Sequence, residues 1–382
     1  MINKRTIEYD VISGILILGM LYSHASIIPG VRDTLVWNIF YHTLIVCIIP
    51  WFFFKSGMFF SSGKNLKELT RGGVKRLLIP FVVFCVLGQI FYSTSLFVKS
   101  DFTVKSHLII PAYCLIKRGY PTGNLPLWFL LTLFVVRILY RWLYEKRINS
   151  YIISVCCLCG AFLLNYYNFH TPYYLSNIML ALMYYSLGYK LKDIQYKNIV
   201  CLVAILLFII IGLTKFSFID TYSNNLETGN YFLAVIVSLS SIIIINNIFR
   251  RFNPSVVLKV AALFMVVLYM YMLWFAIKNG EMRPGVIICY VISAILLLLF
   301  INSCWSLVAK LIYPVSKIGK DSMCFFISHW PLFWVGDIIV TLLNVSDNWL
   351  IFDVRLILFI LLLPLFRYIL TETRLSWMVG NK

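Results

Sequence analysis

The sequence predicts an all-α protein, a polytopic bundle of transmembrane helices, and three observations carry that prediction. Apolar residues make up 61% of the 382-residue chain, and its mean hydropathy is +0.88. A water-soluble domain of that composition would lack the polar surface to cover itself. The apolar runs are continuous rather than alternating, as in 199–213 and 286–301, which favours helices over a barrel. The basic residues behind the net charge of +18 sit in short loops between those runs. That is the positive-inside pattern of a membrane protein, so the charge does not point to nucleic acid. With lipid as solvent, every backbone N–H and C=O must be paired inside the protein, and helices do this locally.

A span needs about 20 mostly apolar residues. The runs 8–28, 36–60, 77–98, 125–143, 150–168, 174–190, 198–214, 231–249, 260–277, 284–303, 323–343 and 350–370 meet or approach that length. They predict about twelve helices, and ten full spans also fit. The first run has a basic start but is long and lacks a small-residue cleavage site, so it reads as a retained helix rather than a signal peptide. Basic loops holding Lys64, Lys67, Arg71, Lys75 and Arg76, then Arg141, Lys146 and Arg147, then Lys190, Lys192 and Lys197 fall on one side. That bias predicts both termini in the cytoplasm; a bacterial inner membrane is the expected setting. The longest segment on the other side, 99–124, ends in Tyr120-Pro121-Thr122-Gly123-Asn124, a turn-rich approach to the next helix. A single membrane domain, 1–382, leaves no room for a soluble catalytic domain, and no internal repeat suggests a two-halved transporter. Cys156, Cys157 and Cys159 have no neighbouring histidine and read as small hydrophobes rather than a metal site.

Titratable groups inside spans are costly and need an explanation. They are Asp10, His24, His42, Lys55, Arg137, His329 and Asp337. Counting about 1.5 Å of depth per residue puts Asp10, Lys55, Arg137 and His329 in the cytoplasmic half, and His24, His42 and Asp337 nearer the outer face. Asp10 and Lys55 share a depth on consecutive helices, where an ion pair would lower the cost of burying each. For Lys55 and Arg137 the plain alternative is snorkelling to the headgroups. His24 and His329 lie within strongly apolar runs, and neutral imidazole exchanges protons near neutral pH. A lone core histidine is more often structural, so position alone leaves both readings open.

Five stretches then point the same way. The first is Arg5 with Tyr9-Asp10-Val11 and, after an apolar run, Ser23-His24. The second is the aromatic helix Pro50-Trp51-Phe52-Phe53-Phe54-Lys55-Ser56-Gly57. Lys75-Arg76-Leu77-Leu78-Ile79-Pro80 and Pro126-Leu127-Trp128-Phe129 open later helices. The last is Ile318-Gly319-Lys320-Asp321-Ser322 with Phe325-Phe326-Ile327-Ser328-His329-Trp330-Pro331. In this order they resemble the integral-membrane acyltransferase-3 family, especially its fucose 4-O-acetylase-like and O-antigen acetyltransferase-like branches.

The resemblance implies acyl-CoA, typically acetyl-CoA, as co-substrate, with no bound cofactor. It implies a membrane-proximal or lipid-linked sugar as acceptor, and an O-acyltransferase of surface polysaccharide. Transfer to an alcohol needs a base for the hydroxyl proton and a positive environment for the thioester oxyanion. His24 is then the expected base, with His329 as a second catalytic histidine and Asp337 or His42 to orient His24. Lys55, Arg76 and Arg137 are the expected contacts for the CoA phosphates. Many members carry Arg or Lys eleven residues before the first-helix histidine, where this chain has Ser13. Lys55 is expected to supply that cation, held by Asp10 when no substrate is bound. The competing readings are a transporter or flippase for a lipid-linked sugar, and a structural subunit of an envelope-polysaccharide complex that would not need His24.

Overall fold

The computed structural model describes residues 7–27, 44–170, 172–214, 217–250 and 305–380. His42 and the expected spans at 260–277 and 284–303 lie outside the described residues. In chain order the helices are α1 (Ile7–Ala25), α2 (Val46–Met58), α3 (Leu66–Gly73), α4 (Ile79–Val98), α5 (Ile110–Arg118), α6 (Trp128–Glu145), α7 (Ser150–Tyr166), α8 (Tyr173–Leu191) and α9 (Asn198–Thr214). A two-stranded antiparallel hairpin follows, β1 (Phe218–Asp220) with β2 (Asn225–Thr228). Then come α10 (Tyr231–Arg250), α11 (Trp305–Lys320), α12 (Ser322–Leu342) and α13 (Asn348–Glu372). Each expected span within the described residues coincides with one of these helices. Among the described residues four stretches, Leu66–Val98, Leu125–Glu145, Tyr231–Phe249 and Ser322–Leu342, are long and apolar enough to cross a membrane.

The segment 99–124 departs from the expected loop. It contains a π turn, Lys105–Ile109, running into α5, and leaves Leu108, Ile109, Tyr113 and Ile116 exposed. Apolar residues on a helix too short to span are the mark of one lying in the membrane interface. Polar Ser106, His107, Lys117 and Arg118 break up its hydropathy, which is why it does not read as a span.

The chain divides into two compact units. The first holds Met1–Gly14 and Ile245–Lys320. Within it α1 and α11 meet at two glycines, because a Cβ on Gly319 would strike the Asp10 carbonyl and one on Gly14 the Val315 carbonyl. Asp10 and Ser13 are buried there. The second unit holds Ile15–Ile244 and Asp321–Lys382. At its centre is α12, buried on all faces from Cys324 to Phe333, as expected of a helix apolar all round. The outer helices instead show apolar stripes to the surroundings: Val82, Val86 and Ile90 on α4, Ile152 and Val155 on α7, and Leu202, Leu206 and Ile209 on α9. An apolar core behind an apolar exterior is stable only in lipid.

Inner prolines in three helices of this unit, Pro50, Pro331 and Pro364, remove an N–H and free the carbonyl four residues earlier. For the first two, side chains from elsewhere replace the missing donors. Pro50 frees the Val46 carbonyl, which accepts from Ser238 Oγ at 2.6 Å. Pro331 frees the Ile327 carbonyl, which accepts from Asn124 Nδ2 at 3.0 Å. The second repair joins the turn-rich 120–126 segment to the part of α12 that carries His329. Trp334 Nε1 adds a hydrogen bond to the Gly123 carbonyl at 2.9 Å.

Candidate active site

His24 ends the last turn of α1 and His329 sits in the middle of α12. Their rings stack with centroids 5.1 Å apart and planes inclined by 23°. Trp330 meets His24 edge-on at 5.0 Å. His329 is fully buried, and its Nδ1 lies 2.7 Å from the Phe326 carbonyl. A carbonyl only accepts, so Nδ1 carries the proton in the neutral ring and Nε2 keeps its lone pair. Among the described residues that Nε2 has no hydrogen-bond partner. A buried, unsatisfied ring nitrogen is costly in a purely structural histidine, and its lone pair is what a proton-accepting site requires.

His24 opens onto a cavity of about 360 Å³ lined by Met20, Ile48, Trp128, Asp220, Tyr222 and Trp330 among others. A second cavity, also about 360 Å³, is lined by Lys55, Lys64, Arg76 and Arg137 together with Ser56 and Tyr185. The same three helices run from one to the other. On α2, Ile48 and Ile49 line the first cavity and Phe52, Lys55 and Ser56 the second. On α6 these positions are Trp128, then Phe129, Leu133 and Arg137; on α12 they are Phe326 and Trp330, then Ser322 and Met323. Phe52, Phe129 and Phe326 stand between the two, with ring centroids 6.2 Å apart for the first pair and 5.2 Å for the second. From Ser322 to His329 the helix advances roughly 10 Å.

The structure therefore brings together His24 with His329, and Lys55 with Arg76 and Arg137. Lys55 Nζ lies over the Trp51 ring, 5.0 Å from its centre, and Arg137 lies against the Tyr185 hydroxyl. Lys64 joins this basic group, although the sequence marks it only as a loop cation. Asp10 belongs to the other unit. Asp337 is not brought to His24. Its carboxylate accepts from Lys99 Nζ at 2.8 Å and Arg355 Nη2 at 2.9 Å. It also lies eight residues beyond His329 on the same helix, about 12 Å along the axis. The expectation that Asp337 orients the base is corrected accordingly: two cations claim it, and a carboxylate at membrane depth is stable only with such partners.

The carboxylate that lines the cavity of His24 is instead Asp220, at the end of β1. Its oxygens accept from the Tyr222 N–H at 3.1 Å and from Ser223 Oγ at 2.6 Å. Burial pushes its carboxyl above the usual range, and those two hydrogen bonds oppose the rise. In the sequence Asp220 lies in a polar stretch between two apolar runs and is indistinguishable from an ordinary loop residue.

No curated protein and no solved structure matches the chain. A sequence model of the family described as an acyltransferase domain matches residues 7–370. That match takes in both stacked histidines, the basic cavity and the aromatic rings between them, and it places this integral-membrane chain in the acyltransferase-3 family, as an acyltransferase.

Proposed function

We propose that the protein is an O-acyltransferase that moves an acyl group, typically acetyl, from acyl-CoA to a hydroxyl of a cell-surface polysaccharide or lipid-linked sugar. The observation that supports this is the pairing of a basic cavity and a histidine cavity end to end along α2, α6 and α12. Lys55, Lys64, Arg76 and Arg137 suit the phosphates of CoA, which seek several fixed cations. The slender pantetheine arm would pass Phe129 and Phe326 and deliver its thioester to His24. The acceptor hydroxyl would approach through the other cavity.

In the reaction, the hydroxyl oxygen forms the new C–O bond as its proton passes to the His24 imidazole. The C–S bond then breaks, and the leaving thiolate takes that proton, giving the ester and free CoA. Stacked on His24, His329 fixes the ring and adds a polarisable neighbour to the imidazolium. Because a thioester is already activated, positioning of the two substrates supplies much of the rate. With the basic loops in the cytoplasm of an inner membrane, the donor would come from inside and the acceptor from the opposite face.

Purified protein in liposomes, supplied with acyl-labelled acetyl-CoA and a membrane glycan fraction, tests this. Label should move to the glycan as an ester with wild type and not with His24→Ala. Label that stays on CoA with wild type, or transfer that survives His24→Ala, would remove the proposal.

A further inference from the structure

The hairpin β1–β2 forms one wall of the histidine cavity, and its turn is held from several sides. The Tyr222 carbonyl accepts from Asn177 Nδ2 at 2.9 Å, and the Ser223 carbonyl from Ser176 Oγ at 3.1 Å. Asn224 donates to the Ala161 carbonyl at 2.8 Å, and its own carbonyl accepts from Asn165 Nδ2 at 3.1 Å. A turn gripped by α7 and α8 in this way is a fixed wall, not a loose loop.

That wall presents a carboxylate and aromatic rings together. Tyr222 packs against Tyr120 with centroids 5.4 Å apart and against Trp128 at 5.3 Å. Asp220 lines the same cavity, and it is the one Asp, Glu, Lys or Arg among the described lining residues. Tyr222 and Ser223 use part of its acceptor capacity, and a carboxylate with about four lone pairs retains some. Aromatic faces suit the C–H face of a pyranose, and a carboxylate suits two neighbouring sugar hydroxyls.

We propose that Asp220, with Tyr222 and Trp128, is the acceptor-sugar subsite and selects a neutral pyranose over an anionic one. The inference rests on the reading that a sugar hydroxyl is the acceptor, and names its class. Asp220 accepts a hydroxyl beside the reacting one and so aims the latter at His24. An acidic sugar would bring a second carboxylate close to Asp220, where burial already disfavours the first charge.

The test is equilibrium binding to the full chain in nanodiscs, without acyl-CoA, by saturation-transfer NMR. The probes are methyl glycosides of glucose, galactose and N-acetylglucosamine against those of glucuronic and galacturonic acid. At least one neutral glycoside should bind, and the uronosides at least tenfold more weakly. Asp220→Asn, which keeps the acceptor for the Tyr222 N–H, should raise the neutral glycoside's Kd by about tenfold or more with an unchanged melting temperature. Equal binding of uronosides, no binding of any neutral glycoside, or an unaltered Kd in Asp220→Asn would overturn the assignment. Since binding needs no turnover, a failed transfer assay does not decide this experiment. Conversely, absence of sugar binding leaves acyl transfer to another class of hydroxyl standing.

Discussion

At the residue scale, the stacked imidazoles and the basic group make separable demands on kinetics. Loss of the base removes proton transfer in the transition state, a contribution of about 10²–10⁴ in rate. His24→Ala should therefore lower kcat by at least a hundredfold, with the KM for acyl-CoA within a few fold of wild type. His329→Asn keeps a donor for the Phe326 carbonyl but removes the free Nε2, so a comparable fall in kcat would assign that nitrogen a part in the chemistry. Near-normal kcat would reduce His329 to packing. Lys55 faces the other cavity, and a hydrogen bond to a charged group is worth about 1.5–3 kcal/mol. Lys55→Ala should raise the KM for acyl-CoA roughly tenfold or more while sparing kcat. An unchanged KM would mean that Lys55 only snorkels beside Trp51. Each of these residues is visible in the sequence as a costly group in an apolar run. Asp337 is equally visible and equally costly, yet its position beside Lys99 and Arg355 is not, because those partners come from just past α4 and from α13, and nothing local names them.

At the element scale, α2 and α8 approach until their backbones touch. A Cβ on Gly57 would overlap the Tyr185 carbonyl, and one on Gly188 the Phe54 carbonyl. Small residues that let helices close up in this way are the main source of association where lipid is as apolar as the side chains. Gly57→Ala should cost about 1–3 kcal/mol of stability, read as a lower melting temperature in detergent. Because α2 lines both cavities, it should also lower transfer activity. Gly63→Ala, with nothing within 4 Å of the added methyl, should change neither, and equal behaviour of the two variants would refute the close-packed seam. Asn124 is a second case. Asn124→Ala leaves the Ile327 carbonyl buried without its donor, at about 1–3 kcal/mol. The local consequence falls on the turn of α12 that holds His329, so kcat should fall with stability. An Asn124→Ala protein as stable and active as wild type would show that Pro331 needs no such repair.

At the scale of the whole molecule, the loop charges predict which face each cavity opens toward. Reporter fusions after Lys382 should read cytoplasm, and fusions within 99–124 should read periplasm. A periplasmic C-terminus would turn the proposed donor and acceptor routes around. The interfacial helix α5 belongs to this scale too. Single cysteines at Leu108 and Ile116 should be labelled by membrane-impermeant thiol reagents or quenched by interfacial lipid probes, whereas Val86 on α4 should respond only to probes deep in hydrocarbon.

By itself the sequence determined that the chain is an apolar, helical membrane protein, and its expected spans locate ten of the thirteen described helices, missing the short or basic Leu66–Gly73, Ile110–Arg118 and Trp305–Lys320. The reason is physical: in hydrocarbon a backbone must satisfy itself, so a long apolar run has one economical conformation. It also displayed most of the chemical parts, since His24, His329, Lys55 and Arg137 stand out against their surroundings, whereas Arg76 lies among the loop cations and only the resemblance singles it out. Only the tertiary structure decided how those parts combine. His24 and His329 stack across more than three hundred residues of chain. Pro50 and Pro331 are repaired by Ser238 and Asn124, and Asp220 rather than Asp337 stands beside the histidine cavity. A helix apolar on every face carries no stripe to say which side turns inward. Its rotation and its neighbours follow from long-range packing at seams such as Gly57 and Gly188, and that packing is where the site is made.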